Sequence, residues 1–245
     1  MPHKYTLIPD RAEHKALFSV VHVKASKLPD AVDLRSQCPV VYDQGELGSC
    51  TANALCAAFE FDVLKEKQAD WQGSRLFLYY CERSMEHSIS DDAGAALSDG
   101  IVALHLRGLC PETSWPYDIE KFAVKPPLQA FMAAVQHKTK TYARVTNNAA
   151  TIKSLLASGF PVVVGITVFS GLESEDAART GQVGMPSADE QPLGGHAVLI
   201  VGYTAHDTYI VRNSWGADWG DHGYFYLPTA YVAQYGQDLW TIKSV

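Results

Sequence analysis

The sequence predicts an α+β chain, with helices in the first half and antiparallel strands in the second. Three observations predict it. Apolar residues recur at helical spacing from Cys50 to about Leu64, and again over Leu97–Leu106. From Val162 onward the signal changes to short runs rich in Val, Ile and Tyr, separated by turn residues. The 245 residues are 47% hydrophobic and 19% charged, enough to bury a sizeable core without staples. Segregated elements of this kind imply a helical lobe and a sheet or barrel lobe, and two lobes commonly enclose a cleft.

Taken in order, residues 1–27 carry no strong period. The first helix places Cys50, Ala54, Ala57, Ala58, Phe61 and Leu64 on a helical repeat, with Ser49 positioned to cap its first turn. The second sets Leu97, Ile101 and Leu104 on one side, with Val102 beside them, and stops at Gly108. Two further helices are expected at Pro127–His137 and Thr151–Ser158, the latter capped by Asn147 or Asn148. Strands follow at Val162–Val168, Ala197–Tyr203, Thr208–Arg212 and Tyr224–Leu227. Between the first two, Ser170–Gly195 reads as a long acidic, glycine-containing loop, solvated rather than specificity-setting. No internal repeat is visible.

Composition removes several classes of function. Lys and Arg number 20 against 27 Asp and Glu, a net charge of −7, and no two basic residues are adjacent. A nucleic-acid partner is therefore not expected. The longest apolar runs are too short to cross a bilayer, so no transmembrane segment is expected. The first ten residues lack the apolar stretch of a signal peptide, which suggests a cytoplasmic protein or export by a signal-less route. Cys38, Cys50, Cys56, Cys81 and Cys110 make an odd count with no C-x-x-C spacing. That removes zinc-knuckle, thioredoxin and disulfide-scaffold readings. Cys56, Cys81 and Cys110 read as buried apolar thiols. Cys38 has a less apolar neighbourhood.

Cys50 is different. The stretch Asp43-Gln44-Gly45-Glu46-Leu47-Gly48-Ser49-Cys50 puts a thiol at the first turn of a helix, directly after a Gly-Ser turn. Unpaired backbone N–H groups and the helix dipole favour an anion there, so the thiol pKa is expected to fall and the thiolate to be nucleophilic. Gln44 lies across a glycine-containing turn from the sulphur. Its side-chain N–H₂, with the backbone N–H of Cys50, can donate to a developing oxyanion. A thiolate nucleophile also needs a base and a group to orient that base. His196 stands at the mouth of an apolar strand after Gly194-Gly195, and Asn213 closes the next strand. Adjacent antiparallel strands bring the two together, so Asn213 can accept the ring N–H while Trp215 shields the bond from water.

With these residues in view, the sequence resembles the papain family of cysteine peptidases. The matching motifs are Gln-Gly-x-x-Gly-Ser-Cys at 44–50, His-Ala-Val-x-x-Val-Gly-Tyr at 196–203, and Asn-Ser-Trp-Gly-x-x-Trp-Gly-x-x-Gly-Tyr at 213–224. A weaker match spans Gly108 to Tyr117, and Leu28-Pro29-Asp30 resembles the family's mature N-terminus. His196 falls within the roughly 130–150-residue separation from the cysteine found in such enzymes, and Asn213 lies slightly past it. The resemblance implies a papain-like two-lobe fold with a cleft between a helical lobe, about 36–118, and an antiparallel β-barrel lobe, about 119–245. It also implies main-chain recognition of substrate near Gly94, with Gly195 and Trp215 lining the site. Three departures mark a bacterial-type, disulfide-poor branch: Thr51 in place of an aromatic residue, Leu47 in place of a bridging cysteine, and Asp92-Ala93-Gly94-Ala95 in place of Cys-x-Gly-Gly.

The expected function is hydrolysis of peptide bonds in peptide or protein substrates. Cys50 and His196 form the reacting pair, Asn213 orients the ring, and Gln44 serves the oxyanion. The resemblance implies no metal or organic cofactor, and the enzyme is expected to act as a monomer. Two alternatives stand beside this reading: a non-catalytic papain-like binding module, and acyl transfer or deamidation on the same triad. Residues 1–27 form an N-terminal extension or short pro-segment ahead of the peptidase domain at 28–245. Its apolar residues Tyr5, Leu7, Ile8, Leu17, Phe18, Val20, Val21 and Val23 are too many to leave solvated. It is therefore expected to pack along the barrel lobe, away from the active site.

Overall fold

The computed structural model describes residues 3–12, 20–21, 28–65 and 71–243. The helices are α1 Cys50–Lys65, α2 Arg75–Glu86, α3 Leu97–Leu106, α4 Leu128–Ala134, α5 Ala149–Ala157, α6 Glu175–Thr180 and α7 Thr229–Tyr235. The strands are β1 Val20–Val21, β2 Val32–Asp33, β3 Thr141–Val145, β4 Val162–Val168, β5 Gly194–Tyr203, β6 Thr208–Arg212, β7 Tyr224–Pro228 and β8 Gly236–Lys243. They form one sheet in the order β1-β3-β8-β4-β5-β6-β7, with β2 added to β5, and every pairing except β1–β3 is antiparallel. The α+β class read from the sequence holds.

The first helix is buried almost to its end, from Cys50 through Val63. A helix buried on all sides belongs between two layers, and α1 touches α2 and α3 on one side and β4, β5 and β8 on the other. The expected Asn148 cap is present, its side chain accepting from Ala150 N–H at 2.9 Å and Thr151 N–H at 3.3 Å. Ser49 does not cap as expected. Its carbonyl receives Asn53 N–H at 3.0 Å, while its hydroxyl turns to Tyr117 at 2.6 Å. Short elements escape a periodicity reading: α6 lies inside the expected loop, and α2, β3, α7 and β8 carry too much polar or aromatic interruption. Helix α2 buries Glu82 and Arg83 among its apolar residues, which breaks the expected pattern.

Candidate active site

The loop before α1 is stitched to the chain that follows β6. Gln44 N–H donates to Ser214 O at 2.9 Å and Gly216 N–H to Tyr42 O at 2.9 Å. Within the loop, Gly45 adopts a left-handed φ of 59°, and Asp43 accepts its N–H at 2.8 Å. The Gln44 side chain is buried. Its amide nitrogen donates to Leu47 O at 2.9 Å, and its oxygen accepts from the Ser214 hydroxyl at 2.6 Å. One amide N–H therefore fixes the side chain, and the oxygen is locked so that the nitrogen cannot flip away.

Strand β5 starts beside this loop. His196 pairs with Ile166 of β4, while Leu199, further along β5, pairs with Arg212 of β6, which puts Asn213 next to the imidazole. His196 Nε2 and Asn213 Oδ1 are 2.9 Å apart. An amide oxygen only accepts, so Nε2 carries the proton and Nδ1 keeps the lone pair. That Nδ1 is buried without a hydrogen-bond partner among the described residues. Trp215 stacks on the imidazole at 5.1 Å, with Trp219 edge-on behind it at 4.9 Å. Cys50 and His196 are both fully buried, and the backbone N–H of Ala197, the residue after His196, lies near enough to the Cys50 sulphur to favour its thiolate. Thr51 fills the position of the family's aromatic residue by donating its hydroxyl to buried Glu82 at 2.8 Å.

Burial reverses one expectation from the sequence. The Cys50 thiol is pushed up to about 12 rather than down, and the His196 imidazole falls to about 4 despite its bond to Asn213. Helix-terminal N–H groups do favour the thiolate, but the loss of water around a covered site penalises both charges more.

The cover is the N-terminal segment, and its position corrects the second expectation. Residues 3–10 do not lie along the barrel lobe away from the active site; they run through the cleft. Leu7 N–H donates to Gly195 O and Ile8 N–H to Ala95 O, both at 3.0 Å, so the segment pairs with both walls. His3 stacks on Trp215 at 3.9 Å, and the Tyr5 ring stands edge-on to His196 at 6.1 Å. The Lys4 ammonium meets Asp92 at 2.6 Å, and the Tyr5 hydroxyl donates to Glu173 at 2.6 Å. Leu7 is buried against Gly165, where a Cβ would stand 2.5 Å from its methyl group. At Gly94 a Cβ would overlap the carbonyl of Thr6. Asp10 ends the run: it accepts Ser98 N–H of α3 at 2.7 Å and the Trp240 indole of β8 at 2.9 Å, so one carboxylate ties both walls together. Burial and the neighbouring Asp238 raise its pKa. The physical reason for this placement is complementarity: Thr6 and Leu7 fit a slot where Gly94, Gly165 and Gly195 leave room. Leu17, Phe18 and Val23 lie outside the described residues, as do the side chains of Val20 and Val21.

All seven residues singled out from the sequence gather here. His196 is bonded to Asn213, Gln44 to the adjacent Ser214, and Cys50 lies by Ala197, while Gly94, Gly195 and Trp215 each touch the segment. The sequence reading missed Asp92, which accepts Gly48 N–H at 3.0 Å and the Tyr79 hydroxyl at 2.6 Å. It also missed Gly165, Asp10 and Tyr117. Asp92 was legible only as a departure from the family pattern, and Tyr117 only as the end of its weakest motif.

A covered cysteine, a His–Asn pair and this two-walled fold are the features of a cysteine peptidase. Residues 28–238 match the papain family cysteine protease family, and the chain belongs to that family. It is 41% identical to an uncharacterized peptidase C1-like protein of Acanthamoeba polyphaga mimivirus, over 96% of this chain and 81% of that one. Cysteine proteinase 3 of Entamoeba histolytica is 28% identical, matching 84% of this chain and 64% of its own length. Among solved structures, xylellain, a cysteine protease from Xylella fastidiosa, matches with a TM-score of 0.90 and 37% identity, covering 98% of this chain and 96% of that one. The similar proteins thus include a viral and a bacterial one, and the expected bacterial type is only partly matched. All five cysteines are free thiols, Cys50 among them.

Proposed function

We propose that this peptidase cleaves peptide bonds with Cys50 as nucleophile, His196 as acid and base, Asn213 orienting the ring and Gln44 supplying an oxyanion donor. The Cys50 thiolate attacks the carbonyl carbon, and the oxygen that becomes negative receives N–H groups from Gln44 and from the Cys50 backbone. Protonated His196 gives its Nδ1 proton to the departing amine as the C–N bond breaks, leaving a thioester. Neutral His196 then takes a proton from water, the hydroxyl attacks the thioester, and a carboxylic acid leaves as the thiolate returns. The observation that carries this reading is the 2.9 Å His196–Asn213 bond, which leaves Nδ1 as the basic nitrogen. Mass spectrometry of peptide products tests it. Products gaining one water are expected, and none from Cys50→Ala. Products carrying an added amine, or loss of ammonia alone, would transfer the triad to acyl transfer or deamidation.

We also propose that residues 1–27 are a pro-segment, with 28–245 as the peptidase domain divided near residue 118. The reading is supported by Leu7 in its glycine-lined slot and by His3 on Trp215, since a peptide substrate needs the same space. Gly94, Gly195 and Trp215 then receive substrate once the segment leaves.

A further inference from the structure

We infer that Tyr117 is a positioning residue for the reaction: its single hydroxyl fixes the separation of the two oxyanion donors by bridging both ends of the loop that carries them. The inference rests on the roles proposed above for Gln44 and Cys50. The Tyr117 hydroxyl lies 3.0 Å from Gln44 O and 2.6 Å from Ser49 Oγ. A carbonyl only accepts, so Tyr117 gives its proton to Gln44 O and the Ser49 hydroxyl donates to Tyr117. Asn53, one turn into α1, donates to Ser49 Oγ at 3.0 Å and to Ser49 O at 2.9 Å. The bonds therefore run in one direction, Asn53 to Ser49 to Tyr117 to Gln44, and aligned chains of this kind strengthen one another in a buried site. Ser49 precedes the Cys50 amide and Gln44 carries the other donor, so the phenol sets the width of the hole from below. The phenol itself is held. The Arg75 guanidinium lies 3.9 Å over its ring and donates to Asp43 O and Asn53 Oδ1, both at 3.1 Å. Glu112 accepts Tyr117 N–H at 2.7 Å. Tyr117 thus acts through the loop it bridges.

Tyr117→Phe removes one oxygen and keeps the ring under Arg75. Deleting an oxyanion donor outright costs on the order of 10²–10³ in kcat, so loosening two donors is expected to cost about tenfold, with KM unchanged within about twofold. The full chain carrying Leu7→Asp, to expel the segment, is the background for both forms. Affinity for a peptide aldehyde, whose thiol adduct places an oxyanion in the hole, should weaken by the same factor, and affinity for the matching unreactive amide should not. Amide hydrogen exchange across 43–49 should quicken in Tyr117→Phe, while exchange in β4 and β5 stays as it was. Arg75→Lys, which keeps the charge but loses the flat stack, should move kcat the same way by less. Unchanged exchange in 43–49, or equal losses for aldehyde and amide, overturns the inference. If the unsubstituted chain hydrolyses no peptide even with the segment expelled, the peptidase roles fall, while the exchange result still decides whether Tyr117 holds the loop.

Discussion

At the scale of single residues, the proposed chemistry depends on where two protons sit. With the cleft covered, burial holds Cys50 as a thiol and His196 as a neutral ring. A thiol raised above its ordinary value stabilises the covered state below pH 9 and loses that contribution as pH climbs towards about 12. A histidine lowered to about 4 stabilises it above pH 6.5 and loses that contribution as pH falls towards 4. The covered state should therefore be firmest between roughly pH 6.5 and 9, and iodoacetamide should alkylate Cys50 slowly until the solution is alkaline. Expelling the segment returns water to the site, and the alkylation profile should then move to lower pH. An identical profile with and without Leu7→Asp would show that burial by the segment is not the cause. Cys50→Ala should abolish turnover and leave the melting temperature nearly unchanged, because alanine suits a helix start packed among small residues. Gln44→Ala should cost on the order of 10²–10³ in kcat; a loss confined to KM would remove Gln44 from the oxyanion role.

At the scale of elements, the N-terminal segment is the part most open to test. Burying one Leu side chain is worth about 1.5–3 kcal/mol, and Leu7→Asp replaces that gain with a buried charge. The full chain with this change should hydrolyse peptides several-fold faster than the unsubstituted chain, measured as kcat/KM on one peptide. No gain, or a loss in proportion to lowered thermal stability, would make the segment a structural strap. This segment also marks the limit of what the sequence made legible. Long elements with one chemistry were readable: α1 from its apolar repeat, β4 and β5 from their Val and Ile runs, and the His196–Asn213 contact from adjacent strands. The course of residues 3–10 was not, because their partners include Gly94, Gly165, Gly195 and Trp215, from 88 (Thr6–Gly94) to 212 (His3–Trp215) residues away along the chain. Local periodicity carries no information about a slot assembled from such distant pieces. Helix α2 was hidden for a different reason: Glu82 and Arg83 are buried, so its inner face does not read as apolar.

At the scale of the whole molecule, α1 and the segment do related work from opposite sides. The helix fills the junction between the helical layer and the sheet, and Asp10 closes the open side by bonding α3 and β8 together. Asp10→Ala should therefore loosen both walls at once, seen as faster hydrogen exchange at the start of α3 and along β8 in the same protein. A change on one wall only would mean that the carboxylate caps α3 without joining the two. The loop that carries Gln44 has its own tie, Asp92 to Gly48 N–H and to Tyr79, in the region where the family resemblance implies a cysteine bridge and this sequence has Leu47 and Asp92. A covalent link of that kind is cut by reductants. The carboxylate is the reverse: dithiothreitol has nothing to break in this molecule, where all five cysteines are free, whereas Asp92→Ala takes away the acceptor. Fold and activity should accordingly persist unchanged through millimolar thiol and decline together in Asp92→Ala.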